Sequence, residues 1–265
     1  MARFENPASI LITGASAGIG EALALHYAAP GVTLFLGGRD RERLDVVLER
    51  CEEKGAKAHG WIGEVTDADA LRRWIQDSDG IASLELVIAN AGIALGSITV
   101  EGLHQAAIDT LDVNVVGVMN TIHPALECMS RRKPYPVKRA QVAIVSSVMG
   151  YAGTARSPAY CASKAAVKTY GEALRGAFRG MGIGVSVICP GYVTSRMIAK
   201  DSGMPFQIEA DKAAKIIARG LAKDKARITF PWQVTLIARL VINLPGFLLD
   251  RINQPWGVPR LEDNS

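Results

Sequence analysis

The chain has 265 residues, 49% of them apolar and 21% charged, with a formal net charge of +4. That length can bury a sizeable core, and the ordinary globular composition excludes a disordered, collagenous or disulfide-stapled chain. The slight positive balance suits an anionic small molecule. Without an aromatic-interleaved basic stripe it gives no ground for nucleic acid as a partner.

Cys51, Cys128, Cys161 and Cys189 form no CxxC pair and no metal spacing, and His26, His59, His104 and His123 read as surface residues without metal spacing. Reduced thiols and no metal site are expected. The N-terminal "MARFENPASI" lacks the apolar core of a secretory signal, so the expected location is cytoplasmic.

In chain order, "ASILITGASAGIGEALALHYA" predicts a strand over Ile10–Ile12, a glycine-rich turn and a helix. Gly14, Gly18 and Gly20 let backbone approach a bound group, and free amides at a helix start favour an anion. The spacing GxxxGxG differs from the GxGxxG dinucleotide fingerprint. "VTLFLGG" then reads as a buried second strand, followed by the charged amphipathic helix "RDRERLDVVLERCEEKG". The end of that second strand is where a dinucleotide fold chooses its cofactor: an acidic residue serves the ribose 2′-hydroxyl of NAD, an arginine the 2′-phosphate of NADP. Gly38 occupies the acidic position and Arg39 follows it. NADP(H) is therefore expected over NAD(H), since a carboxylate repels the phosphate that a guanidinium grips. Ser16 is a second candidate phosphate ligand. Arg41 and Arg43 read first as solvated helix charges, with phosphate contact the alternative.

"AKAHGWIGEVTDADALRRWIQDS" predicts a third strand, a cap at Thr66 or Asp67, and a helix. "LELVIANAGIA" is a fourth strand ending in Asn90, Ala91 and Gly92, small enough to let a ligand lie across the sheet edge. A helical stretch from about Gly102 to Met129 carries Asn114 among apolar neighbours; the amide needs partners, as a structural cross-link or within a proton relay. "SRRKPYPVKRA" reads as an exposed loop. "QVAIVSSV" is a fifth strand delivering Ser147. If "SPAYCASKAAVKTYGEALRGAF" is a helix, Tyr160 and Lys164 share a face one turn apart. The ammonium favours the phenolate, and each unit removed from a tyrosine pKa of about 10 reflects roughly 1.4 kcal/mol. Such a tyrosine can act as acid or base; the alternative is a Tyr/Lys pair on an ordinary half-buried helix. Cys161, about 100° round the helix from Tyr160, reads as packing.

"GIGVSVICPGYVTSRM" supplies a sixth strand with a Pro-Gly turn, "IEADKAAKIIARGLAKD" a helix and "ARITF" a seventh strand. The alternation predicts an α/β, single-domain, doubly wound Rossmann-type fold over residues 1–265, with a seven-stranded parallel sheet flanked by helices. Residues 231–265 form an apolar C-terminal helical extension of that domain. Arg239, Asn243 and Pro245 interrupt it, so it is not read as a transmembrane span. Three readings stay open for it: a subunit interface, a helix-turn-helix closing the substrate pocket, and peripheral membrane contact.

Together, "TGASAGIG" (Thr13 to Gly20), "NAG" (Asn90 to Gly92), Asn114, Ser147, "YCASK" (Tyr160 to Lys164) and "PGYVTS" (Pro190 to Ser195) occur in the order and approximate spacing of the classical short-chain dehydrogenase/reductase family, which residues 8 to 230 resemble. The resemblance implies that Tyr160 is general acid and base, Lys164 its activator and a holder of the nicotinamide ribose, and Ser147 the polariser of the substrate oxygen. Ser147 is chosen over Ser146 because the family places its serine thirteen residues before the tyrosine. Asn114 would position a relay water. Gly14, Ser16, Gly18, Ile19 and Gly20 would embrace the pyrophosphate side of the cofactor, Val65, Asn90, Ala91 and Gly92 the adenosine side, and Pro190, Gly191, Val193 and Ser195 the nicotinamide. Three features depart from the pattern: Glu64-Val65 stands where many members have Asp-Val, the basic loop before the fifth strand is longer than usual, and the tail beyond residue 230 has no counterpart.

The implied activity is an NADP(H)-dependent oxidoreductase acting on a small-molecule carbonyl or alcohol, a ketone or secondary alcohol, in a homodimer or homotetramer. A non-catalytic NADP-binding regulator and a sugar-nucleotide epimerase or dehydratase are the alternatives. Ile93, Met149, Tyr151, Tyr192, Met197, Met204 and Phe206 are candidates to line a pocket for a lipid-like, cyclic or sugar-derived carbonyl.

Overall fold

The computed structural model describes residues 4–96, 100–132, 140–155, 157–194, 206–241 and 243–253. Ser195, Met197 and Met204, most of the basic loop and the last twelve positions lie outside the described residues.

The apolar runs become β1 (Ser9–Thr13), β2 (Thr33–Gly38), β3 (Lys57–Ile62), β4 (Leu86–Ala89), β5 (Gln141–Val145), β6 (Gly184–Pro190) and β7 (Arg227–Phe230), joined by helices α1 (Gly18–Tyr27) to α9 (Gly246–Asn253). They form one parallel sheet of order β3-β2-β1-β4-β5-β6-β7, the seven-stranded doubly wound sheet expected from the alternation. Because successive side chains point to opposite faces, β1 feeds both cores. Ile10 and Ile12 pack with Leu23 of α1, Leu44 of α2 (Arg41–Glu53) and Ile217 of α7 (Ala210–Ala222). Leu11 packs on the other face with Leu71 and Ile75 of α3 (Ala68–Ile81), Ile122 of α5 (Gly117–Ser130) and Val167 of α6 (Pro158–Phe178). A parallel sheet covered on both faces needs these nearly continuous apolar strands. β3, at the edge, is mostly exposed.

Local chemistry sets the helix starts that matter. Asp40 caps α2 by accepting from the Arg43 amide at 3.1 Å, and Asp67, one of the two cap candidates, accepts from the Ala70 amide at 3.0 Å. No side chain caps α1, whose first-turn amides follow the glycine turn; such amides suit an anion. Pro158 opens α6, where its missing amide hydrogen costs nothing. The long helical stretch expected around Asn114 is α4 (Val100–Leu111) and α5 joined through a π-helical turn at Asp112–Val116, with Asn114 fully buried in that turn.

The C-terminal extension forms α8 (Trp232–Val241) and α9. The inner face of α8 is part of the protein body: Thr235 is buried, and Ala238 packs against Tyr151, Val187 and Cys189. Its outer face leaves Trp232 71% and Leu240 62% exposed. No helix among the described residues is long and apolar enough to cross a membrane.

Candidate active site

The strand order reverses between β1 and β4, and open sheets of this kind bind ligands at the carboxyl ends beside such a switch point. A cleft of about 860 Å³ lies there. Its glycine turn is shaped by close backbone approach. Gly14 has φ of +66°, and a Cβ on Gly20 would fall 2.2 Å from the Gly14 carbonyl oxygen, so only glycine fits. Two polar residues hold the turn against β4. The Asn90 carboxamide donates to the carbonyls of Thr13 (3.0 Å) and Gly14 (2.9 Å), while Thr13 Oγ1 accepts from the amides of Asn90 (3.1 Å) and Ala91 (3.3 Å). The Asn90 amide nitrogen is thus committed to the backbone of the turn.

At the far end of the cleft stand Ser16, Gly38, Arg39, Asp40 and Arg43. A Cβ on Gly38 would lie 3.2 Å from Ser16 Oγ, so a longer side chain there would crowd Ser16. Val65 lines the adjoining wall, and its carbonyl accepts from Asn120 Nδ2 at 3.0 Å. Glu64 also lines it.

The other end is built by β5, β6 and α6. Ser147 follows β5 and caps a short 3-10 turn, Val148–Gly150, by accepting from the Met149 amide at 3.1 Å; its hydroxyl reaches the Pro190 carbonyl only weakly, at 3.5 Å. Tyr160 and Lys164 project from the first turns of α6 into the same end of the cleft. The Lys164 ammonium donates to the Val145 carbonyl at 2.9 Å and sits 5.6 Å from the centroid of the Tyr160 ring. Gly92 leaves space there, since a Cβ would come within 3.2 Å of Lys164 Nζ.

Burial dominates the electrostatics. It pushes the Tyr160 phenol above its ordinary value, with a hydrogen bond to Ser147 pulling partly back. It brings Lys164 down to about 8. Spacing alone suggests that the lysine lowers the tyrosine pKa; in the folded chain desolvation of the phenol outweighs any such help. A protonated phenol beside a hydroxyl and an ammonium is equipped to hand a proton to a substrate oxygen.

Asn114 lies behind this wall. Its Oδ1 accepts from the Ile93 amide at 2.8 Å, and its Nδ2 donates to the Ile93 carbonyl (2.9 Å) and to Ser163 Oγ (3.0 Å). These bonds make the side chain a structural cross-link that ties the segment after β4 to α6. Gly14, Ser16, Gly18, Ile19, Arg39, Val65, Asn90, Ala91, Gly92, Ser147, Tyr160, Lys164, Pro190, Gly191 and Val193 all border one cleft; Gly20 and Asn114 stand behind it.

Comparison with known proteins agrees with this geometry. A family model described as short chain dehydrogenase matches residues 8–204. The chain belongs to the short-chain dehydrogenase family. It is 36% identical over 243 residues to an uncharacterized oxidoreductase of Myxococcus xanthus, covering 91% of this chain and 94% of that one. It is 30% identical over 193 residues to the 3-oxoacyl-[acyl-carrier-protein] reductase FabG of Staphylococcus aureus, covering 71% and 76%. Two solved short-chain dehydrogenases share the fold: one from Sphingobium yanoikuyae in complex with NADPH (TM-score 0.76, 22% identity, 90% and 96% covered) and one from Burkholderia phymatum in complex with NAD (TM-score 0.79, 20% identity, 91% and 94% covered).

Within this short-chain dehydrogenase the structure adds residues that sequence reasoning passed over. Thr13 lies in the glycine motif, and its hydroxyl anchors two amides of the "NAG" segment. Arg43, read first as a solvated helix charge, borders the cleft and pairs with Asp40. One expectation needs correction. Tyr151 is only 8% exposed and packs on Val187 and Cys189, because the 3-10 turn after Ser147 directs the chain inward; it is core rather than pocket lining. Ile93 does line the cleft, Met149 and Tyr192 are half-buried, and Phe206 is 48% exposed.

Proposed function

We propose that the protein is an NADP(H)-dependent oxidoreductase that interconverts a ketone and a secondary alcohol. The observation that carries this reading is a single cleft with Ser147, Tyr160 and Lys164 at one end and Gly38 and Arg39 at the other. The fit to a dinucleotide rests on the glycine turn, whose backbone approach a Cβ would block, on the uncapped start of α1, and on a cleft long enough to run from β2 to β6. The membership in an oxidoreductase family and the NADPH or NAD bound by neighbours of the same fold support a nicotinamide cofactor. The finer preference for NADP(H) rests on Arg39 and the missing carboxylate at position 38.

When bound, the cofactor supplies or takes the hydride. Gly14, Gly18 and Ile19 present backbone to its phosphates, with Ser16 and Arg39 at the 2′ side. Ser147 directs its hydroxyl to the substrate oxygen in exchange for the weak bond to Pro190. Tyr160, held protonated by burial, gives its phenolic proton to that oxygen in reduction and takes it back in oxidation. Lys164 stabilises the phenolate left behind and holds the ribose. Asn114 keeps Ile93 and α6 in register beneath the reacting groups.

The test is NADPH and NADH consumption against a ketone panel with wild type, Tyr160→Phe and Arg39→Asp. Tyr160→Phe lowers turnover by about 10²- to 10⁴-fold while still binding NADPH, and Arg39→Asp moves preference toward NADH. Substantial turnover by Tyr160→Phe overturns the acid assignment; a wild type indifferent to the 2′-phosphate overturns the cofactor assignment.

A further inference from the structure

The 2′ end of the cleft contains a feature that an NADP site should not tolerate. Asp40 borders it, one residue after Arg39, and an anionic side chain there opposes a 2′-phosphate. The same carboxylate is, however, doubly engaged from its own helix. Oδ1 accepts from the Arg43 amide at 3.1 Å, and Oδ2 forms an ion pair with the Arg43 guanidinium. Arg43 borders the cleft as well and extends into the neighbouring groove lined by Glu42, Val46 and Arg50. Gly38 keeps Ser16 Oγ uncovered, and Arg39 is exposed at the rim.

We propose that Arg43 acts as a charge mask: by pairing with Asp40 it neutralises the carboxylate beside the Ser16–Gly38–Arg39 corner, and so sets cofactor choice without itself gripping the 2′-phosphate. Its guanidinium is held one helical turn back by the carboxylate that also caps α2. With the mask in place the corner reads as Ser16, Gly38 and Arg39 and favours a phosphate. Without it Asp40 presents a bare carboxylate two positions beyond Gly38, close enough to the corner to oppose a 2′-phosphate. Because the pair is partly exposed, with side chains 45% and 31% accessible, the effect is moderate and weakens with salt.

This inference rests on the NADP(H) reading and is separable from it by a binding cycle without substrate. Equilibrium dissociation constants for NADPH and NADH are measured by nicotinamide fluorescence for wild type, Arg43→Ala, Asp40→Asn and the double variant. Asparagine keeps an oxygen for the helix cap and removes the charge. Arg43→Ala weakens NADPH by roughly tenfold and leaves NADH unchanged or tighter, the size expected of one half-screened charge at a few ångströms. The double variant recovers NADPH affinity to within about threefold of wild type, since position 40 no longer carries a charge to mask. If the double variant stays as weak as Arg43→Ala, Arg43 touches the phosphate directly and the mask is refuted. It is equally refuted if Arg43→Ala leaves NADPH binding unchanged. A wild type with equal affinity for both cofactors refutes the NADP(H) reading beneath it, and appears before any variant is compared.

Discussion

Lys164 is 3% exposed, and its ammonium donates to a backbone carbonyl while burial holds its pKa at about 8 against an ordinary 10.5. Below about pH 8 the folded and unfolded chains both carry the charge, and the full cost of burying it is present. Between 8 and 10.5 the unfolded chain keeps a proton that the folded one has released, so stability rises with pH. Tyr160, whose pKa is raised, works in the opposite direction above pH 10, but it is common to wild type and a Lys164 variant and cancels in their difference. Urea unfolding of the cofactor-free protein should show wild type gaining about 2–3 kcal/mol relative to Lys164→Met across that window. Parallel curves for the two proteins would mean that the ammonium is solvated rather than buried. The pairing of Tyr160 with Lys164 was legible in the sequence, because i and i+4 residues share a helix face. The sign of the tyrosine shift was not, because desolvation depends on how tightly β5, β6 and α6 close around the ring.

Elements meet at the candidate active site through Asn114. The π-helical turn between α4 and α5 presents this side chain inward, and such turns recur at functional sites. Its three bonds reach Ile93 and Ser163, 21 and 49 residues away, and Ser163 passes the link on to the Tyr160 carbonyl at 2.8 Å. Asn114→Ala should cost about 2–3 kcal/mol in chemical denaturation, since it strips the Ile93 amide and carbonyl of their side-chain partner and breaks the link to Ser163. A loss below about 0.5 kcal/mol, the ordinary size of a surface substitution, would remove the cross-link as a structural element. Strand and helix rhythm is a local signal, so all seven strands could be read from the sequence, six as apolar runs and the exposed edge strand β3 from the turn and helix that follow it. A buried amide in an apolar helix announced only that it needed partners. Which partners they are is a property of strand order and helix packing. The same reason hid the task of Thr13 and the inward course of Tyr151: both depend on backbone brought in from elsewhere in the chain.

At the scale of the whole molecule, the order β3-β2-β1-β4-β5-β6-β7 places the two halves of the sheet on either side of the cleft. β1 and β2 carry the glycine turn and Arg39; β5, β6 and α6 carry Ser147, Pro190, Tyr160 and Lys164. A ligand that touches both ends binds the folded state alone and stabilises every element between them. At a hundredfold excess over its dissociation constant such a ligand adds about 2.7 kcal/mol, or roughly 5–10 °C in Tm for a chain of this size. NADPH should therefore raise Tm by that amount, and NADH at the same concentration by less. Hydrogen exchange should slow at the end of β2 and at the end of β6 together, because the two ends are clamped by one molecule. Protection confined to the glycine turn would show that the cleft binds a mononucleotide-sized group only, with the Tyr160 end left outside the bound cofactor.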